Sequence, residues 1–527
     1  MSQRFHIVPL LATLASILLR HGSAAAQIPS VPPDRAIERM TPSRAQGHVE
    51  ALASDAMMGR NTPSRELDSA ADYIAANFRA YGMLPVGEGY FHRYYLKRTE
   101  LGSPNSLTVN GRQFPLKSGM IPHEESGSGK AEGGLAFVGY GISRADGSYD
   151  DYAGVDVRGR IVVAIAGAPS GAGGDWRRAE REGSSREKML QASRHGAVAL
   201  LTIPNPGQTR ILIPQGYPWG ALFPKSLRSA APLQLELPLA APAIPSAGIS
   251  GDAARAIFGG TWESIAGLVA AIDSSGRPGS RLLKGHAELQ VALDIERTPV
   301  RNVVGMIPGR LHPEEFVVIG AHYDHVGHGV TFGADGKPVA DTIFNGADDN
   351  ASGTAALLLI AEALGAVRAA ERPERSIMLI AFSGEEKGLY GSRAYAAAPL
   401  VPNENVVAML NMDMIGRNAG DSISVGGGSR SGDLAALAER ANDPEPMGLA
   451  YDLEDFFERS DQASFAAKGI ASLFFSSGLH ADYHMVSDAP EKIDSRKLAH
   501  VARLCLRTAW LVAESPGRPR SRAPEPN

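Results

Sequence analysis

The chain is 527 residues long, 44% hydrophobic and 21% charged, with a formal net charge of −5. That length exceeds one ordinary hydrophobic core and predicts two domains, or one domain interrupted by another. The mild negative charge gives no electrostatic reason to expect nucleic acid or an anionic membrane as a partner. A lone cysteine, Cys505, excludes both an intramolecular disulfide and a cysteine-based zinc site.

Residues 1–26 read as a signal peptide. Arg4 is followed by the apolar run Ile7–Leu19 and by Ala24, Ala25 and Ala26 ahead of Gln27. The run falls short of the ~20 residues that cross a bilayer, and Arg20 and His21 end it. The expectation is therefore export, to a periplasm or outside the cell, without stable membrane insertion. Residues 35 to about 90 are predicted helical, because Leu52, Ala71, Tyr73, Ile74, Phe78 and Tyr81 recur at helical spacings. Gly82 is the expected stop, and Asp55–Arg60 a turn within the segment.

Ser126-Gly127-Ser128-Gly129 opens a stretch of different texture. Short apolar runs at Gly134–Val138, Ile161–Ile165 and Ala197–Ile203, with a helix around Lys188–His195, predict a compact β-rich module over 126–285. It contains no cluster of His, Asp and Glu at ligand spacing, and it reads as an insertion. Beyond it, Phe316–Gly320, Ser376–Phe382, Val406–Met412 and Ala471–Phe475 are nearly continuous apolar runs. Such runs suit strands buried on both faces of a mixed α/β sheet. Thr354–Val367 reads as a buried helix. Cys505, between Leu504 and Leu506 in a helical pattern, is expected in the core. The tail, 515–527, is rich in Pro, Arg and Glu and is predicted disordered.

Each of the four buried runs is followed at once by polar residues, and a fifth polar stretch precedes the buried helix. They supply His322, Asp324 and His325, then Asp348 and Asp349, then the pair Glu385 and Glu386, then Asp413, and last His480, Asp482 and His484. Each piece alone has a plainer reading. Asp348-Asp349-Asn350 ahead of a helix is an ordinary N-cap, paired glutamates are usually solvated, and a lone histidine is usually structural. Their recurrence at successive strand ends, where sites in open α/β sheets gather, points to a metal centre. Two imidazoles with several carboxylates suit zinc, and a pair of metals needs a shared ligand. In His322-x-Asp324 a ligand stands beside a carboxylate able to orient it.

The stretch 300–510, through these motifs, resembles the M28 family of zinc peptidases. Residues 35–125 look like the N-terminal part of the catalytic domain in its exported bacterial members. Val138-Gly139-Tyr140-Gly141-Ile142 and Tyr149-Asp150-Asp151-Tyr152 through Val163 resemble the protease-associated domain often inserted in them. The resemblance implies an α/β, mixed-sheet, phosphorylase/hydrolase-like catalytic domain over 35–125 and 286–514, interrupted by a protease-associated domain over 126–285. It implies two Zn²⁺ per chain. His322 and Asp413 match the ligands of the first, Glu386 and His484 those of the second, and Asp349 the bridge, with a cis bond to Asn350. Glu385 matches the general base acting on a metal-activated water, and Asp324 the partner of His322.

The implied activity is exopeptidase hydrolysis of peptides. Attack from the amino end is favoured because the motif loops are acidic (Asp348, Glu385, Glu386, Asp413, Asp461 and Asp482) and the cations near them, Lys387, Arg417 and Arg459, are few. A carboxypeptidase and a glutaminyl cyclase-like acyltransferase with one zinc are the alternatives. His325 and His328 read as loop residues ahead of the alternative of spare ligands, Asp348 as a turn former, His480 as a pocket wall and Asp488 as a loop anchor. An oxyanion-stabilising tyrosine stays open between Tyr323 and Tyr483, since Phe456 and Phe457 stand where relatives often place one. Oligomeric state is not legible.

Overall fold

The computed structural model describes residues 31–87, 89–169, 179–206, 232–330 and 340–522. The expected signal peptide lies outside them. The strands in chain order are β1 (Leu84–Pro85), β2 (Phe91–Leu101), β3 (Ser106–Val109), β4 (Arg112–Phe114), β5 (Met120–Pro122), β6 (Gly129–Phe137), β7 (Ile161–Ile165), β8 (Ala199–Ile203) and β9 (Gln234–Glu236). They continue as β10 (Ser246–Ile249), β11 (Arg281–Val291), β12 (Leu293–Ile307), β13 (His312–His322), β14 (Arg375–Phe382), β15 (Val406–Met412), β16 (Ser422–Gly426), β17 (Gly448–Ala450) and β18 (Ala471–Ser476).

Two mixed sheets result. The larger runs β17-β16-β18-β15-β13-β14-β12-β2-β9, with β1 beside β12. Its centre is parallel: β13 pairs in parallel with both β14 and β15, and β15 with β18. The apolar runs are continuous here because each face meets its own core. In β14, Ile377, Leu379 and Ala381 point into one core with the helices Pro42–Leu52, Gly353–Gly365 and Ser495–Glu514. Met378, Ile380 and Phe382 point the other way, onto Tyr395 and Phe465. Period-two alternation under cover on both sides leaves no polar face to interrupt the run. The helix Gly353–Gly365 is buried around nearly its whole surface, and Cys505 is fully buried, both as expected.

The second sheet runs β4-β3-β11-β6-β7-β8-β10-β5. It takes in chain from Ser106 to Val291, so it starts before residue 126 and ends after residue 285. It is also less purely β than expected. Ile161, Val163 and Ile165 pack on the helices Gly251–Phe258 and Trp262–Ser275, while Val162 and Ala164 pack on the helix Ser185–Arg194. One strand of the intervening chain, β9, leaves this lobe and pairs with β2 at the edge of the first sheet, where Glu236 meets Arg297 at 2.7 Å.

The expectation of a disordered tail fails for residues 515–522, because its arginines find partners. Arg518 pairs with Glu315 at 2.6 Å and Arg520 with Asp433 at 2.9 Å. Among the described residues no helix is long and apolar enough to cross a membrane.

Candidate metal centre

Because β13, β14, β15 and β18 are parallel, their carboxyl ends open on one edge of the sheet. His322 is the last residue of β13 and Asp413 follows β15 directly. Glu385 and Glu386 sit in a tight turn just after β14, which Gly384 enters with φ of +72°. Asp349 comes from the irregular turn Ala347–Ser352 ahead of the buried helix, and its bond to Asn350 is cis. His484 arrives from the loop after β18 with φ of +55°, a left-handed conformation uncommon for residues other than glycine.

Two groups of donors form around one carboxylate. His322 Nε2 lies 3.4 Å from Asp349 Oδ1 and 3.3 Å from Asp413 Oδ1. On the other side His484 Nε2 lies 3.0 Å from Asp349 Oδ2 and 3.2 Å from Glu386 Oε2. Asp349 thus presents one oxygen to each group. The His484 Nε2 atom is buried and makes no hydrogen bond, although two carboxylate oxygens converge on it. Buried acceptors facing one another without donors between them are the arrangement a cation resolves.

The surroundings fix these groups in turn. Asp324 accepts the Glu385 backbone N–H at 3.1 Å and the Thr62 hydroxyl at 3.0 Å, and its Oδ1 lies 3.7 Å from His322 Nδ1. Ser460 donates to Asp413 Oδ2 at 2.7 Å. Asp488 accepts the backbone N–H groups of Asp348 and Asp349, so it anchors the loop as expected. Asp348 accepts the Gly416 N–H at 2.6 Å, a turn-forming role. From the N-terminal segment, the fully buried Arg60 donates to the carbonyls of Tyr323, Asn345 and Gly346 at 2.8–2.9 Å, clamping both loops. Burial pushes the Glu385 carboxyl well above the usual carboxylate range, against the pull of His322 and with help from Asp413 and Asp461.

Two expectations need correction. His325 lies in the loop after β13 but fits the spare-ligand alternative: its ring is fully buried, with Nδ1 2.9 Å from Glu386 Oε1 and 3.8 Å from Asp349 Oδ2. It forms a group with Asp349, Glu386 and His484 able to hold a metal. The spacing His322-x-x-His325 was the signal available for it. His480 does not wall the cleft; its Nε2 turns to Asp348 Oδ2 at 3.3 Å. His328 is exposed, as a loop residue should be.

The donors open on a cleft of about 580 Å³ whose lining includes His322, Asp349, Glu385, Glu386 and Asp413. Of the two tyrosines considered, Tyr483 lines this cleft, whereas Tyr323 is buried and donates to the Arg301 carbonyl at 2.6 Å. Of the six acids expected to leave spare negative charge, Asp348 and Asp461 are fully buried, and Asp482 is engaged by Arg417 and Lys492 at 2.7 Å each. Glu385, Glu386 and Asp413 alone of the six line the cleft. Among the described residues, both groups able to hold a metal lie in this lobe.

Residues 302–509 match the family model for Peptidase family M28. The chain is 29% identical over 269 residues to a probable zinc metalloprotease of Leptosphaeria maculans, covering 42% of this chain and 60% of that one. A probable leucine aminopeptidase of Arthroderma otae is 30% identical over 40% of this chain and 57% of its own length. The solved structure of an aminopeptidase from Aneurinibacillus sp. strain AM-1 is 20% identical and aligns over 94% of this chain and 98% of its own, at a TM-score of 0.42. The chain spans about half to three fifths of the length of the first curated relatives it matches.

Proposed function

Starting from residues 302–509 as a peptidase family M28 domain, we propose that the chain is a zinc-dependent exopeptidase that removes residues from the amino end of peptides. The observation that carries this reading is the division of the Asp349 carboxylate between two donor groups at the strand ends. Imidazole mixed with carboxylate is a donor set that zinc accepts. His322, Asp349 and Asp413 would hold one ion, and Asp349, Glu386 and His484 the other. The names of relatives, zinc metalloprotease and leucine aminopeptidase, support the same chemistry and direction.

When bound, the zinc pair supplies Lewis-acid polarisation of the scissile carbonyl and activation of the attacking water. The chain does the rest. Glu385, held on the cleft by the bond from its N–H to Asp324, takes a proton from water at its carboxylate and returns it to the departing amine. Asp324, between His322 and the Glu385 turn, keeps base and ligand in register. The lobe over 106–291 is read as the inserted protease-associated domain, non-catalytic and positioned to shape access for longer peptides. The leader at residues 1–26 is read as directing export to a periplasm or the medium, where peptides are the substrates.

The test is a matched set of peptides, N-acetylated, C-amidated and free. Acetylation should stop cleavage and amidation should not abolish it. Prolonged chelation should remove activity, and Zn²⁺ should restore it. Full activity after thorough demetallation would overturn the reading, and the reverse blocking pattern would make the enzyme a carboxypeptidase.

A further inference from the structure

The motif loops carry three cations, and the fold treats them differently. Lys387 is exposed and outside the cleft lining. Arg417 is engaged, with Nη2 2.7 Å from Asp482 and Nη1 3.9 Å from Asp488. Arg459 lines the cleft and has no ion-pair partner among the described residues; its guanidinium lies over the Phe456 ring, 5.3 Å from the centroid. Of the three acids on its own turn, Glu454 and Glu458 are taken by Arg430 at 3.7 and 2.7 Å, and the exposed Asp455 forms no ion pair with Arg459. Arg459 is also well placed. The next residue, Ser460, is buried and donates to Asp413 Oδ2, so the arginine is tethered one residue from the donor cluster.

Charge then decides what this arginine can meet. If Asp349, Glu386 and Asp413 are committed to metal, the cleft lining keeps one free carboxylate, Glu385, and one free cation, Arg459. An unpaired guanidinium beside apolar walls (Leu453, Phe456 and Leu479) is a fork-shaped donor for a planar anion in a partly desolvated setting. We infer that Arg459 forms a subsite for a carboxylate carried by the substrate next to the scissile bond. That carboxylate is either the free C-terminus of a dipeptide or an acidic side chain on the first residue. The inference rests on the exopeptidase reading above for the position of the scissile bond, and it narrows the substrate class to short or acidic peptides.

The experiment compares acid with neutral partner in two pairs, using the zinc-loaded full chain. Leu-Leu against Leu-Leu-amide probes a terminal carboxylate, and Glu-p-nitroanilide against Gln-p-nitroanilide probes a side chain. Arg459 is exposed, so Arg459→Gln and Arg459→Lys should fold. Arg459→Gln should lower the acid-to-neutral ratio of kcat/KM by ~10-fold or more in one pair, through KM, as expected for loss of a charge-assisted bond. Arg459→Lys should restore part of it. The pair that responds identifies the source of the carboxylate; unchanged ratios in both pairs would overturn the subsite. The same ratios, measured as Kd by titration calorimetry with Glu385→Gln present in both chains, do not depend on turnover. If the chain with Glu385 intact hydrolyses none of the four substrates and the binding preference is still lost with Arg459→Gln, the subsite stands and the hydrolase is overturned.

Discussion

Both lobes build a sheet with parallel strands, cover it with helices on both faces and bury ionisable groups, yet among the described residues the donors converge on a cleft in only one of them. In the second lobe Asp151 is fully buried and accepts from the Ile142 N–H and the Tyr149 hydroxyl, each at 3.1 Å. Lys188, also buried, donates to the Tyr140 carbonyl. Burial pushes the Asp151 carboxyl up to about 7 and pulls the Lys188 ammonium down to about 7. Every one of those polar groups faces a complement. Around Asp349 the acceptors face each other. Buried charge by itself marks nothing; what marks a site is like-natured donors gathered where strand ends leave a gap.

The most forceful test removes chemistry from the first lobe alone. Glu385→Gln should reduce kcat by at least ~10²-fold, the scale of general-base loss, with zinc content by plasma emission near that of the parent. His322→Ala and His484→Ala should instead lose metal. Parental turnover by Glu385→Gln would refute its role. A milder test concerns the histidine that the fold adds to the cluster. His325→Ala should weaken zinc binding by roughly 10–100-fold in a chelator competition, as expected when a partner of a ligand is lost; unaltered affinity would return His325 to mere packing.

The converse experiment is made in the second lobe. Lys188→Met leaves the Tyr140 carbonyl without its donor and should cost about 1–3 kcal/mol of stability, seen in urea unfolding, with zinc content unchanged. Loss of zinc would erase the contrast between the lobes. The smallest effect is one of pH. His123, fully buried, is pulled down to about 4 by burial and by Lys188. Its folded pKa lies below the unfolded value near 6.5, so it subtracts stability as pH falls from about 6.5 to about 4. Asp151 has the opposite sign: its folded pKa lies above the unfolded value, so it adds stability as pH falls from about 7 to about 4. The two oppose each other in the parent. Asp151→Asn should therefore lose more Tm than the parent between pH 7 and pH 5; an equal loss would show that Asp151 does not titrate there.

The buried runs of β13, β14, β15 and β18, and the donors that follow them, were legible because two-sided burial writes itself into consecutive residues. The seams between lobes were not. Val291, Ala292 and Leu293 join β11 of one sheet to β12 of the other with no glycine, proline or polar cluster between them. At the other seam β3–β5 are three or four residues each, too short for periodicity to register. His325 was ranked as a loop residue ahead of a spare ligand for a different reason. Its neighbourhood of Gly327, His328 and Gly329 reads as loop, and the groups that meet its ring, Gly346, Glu386 and His484, arrive from elsewhere in the chain.

Arg60 also sets an order of events during synthesis. Its acceptor at Tyr323 lies 263 residues downstream and that at Gly346 lies 286 downstream. The lobe between them, Ser106 to Val291, is contiguous and can complete its own sheet as it leaves the ribosome. The N-terminal helices must wait, with their apolar faces open, until the strands that carry the donors and finally the helix Ser495–Glu514 arrive. The lobe with no donor cluster among its described residues is therefore finished first, and the other closes only after the helix Ser495–Glu514 has been made.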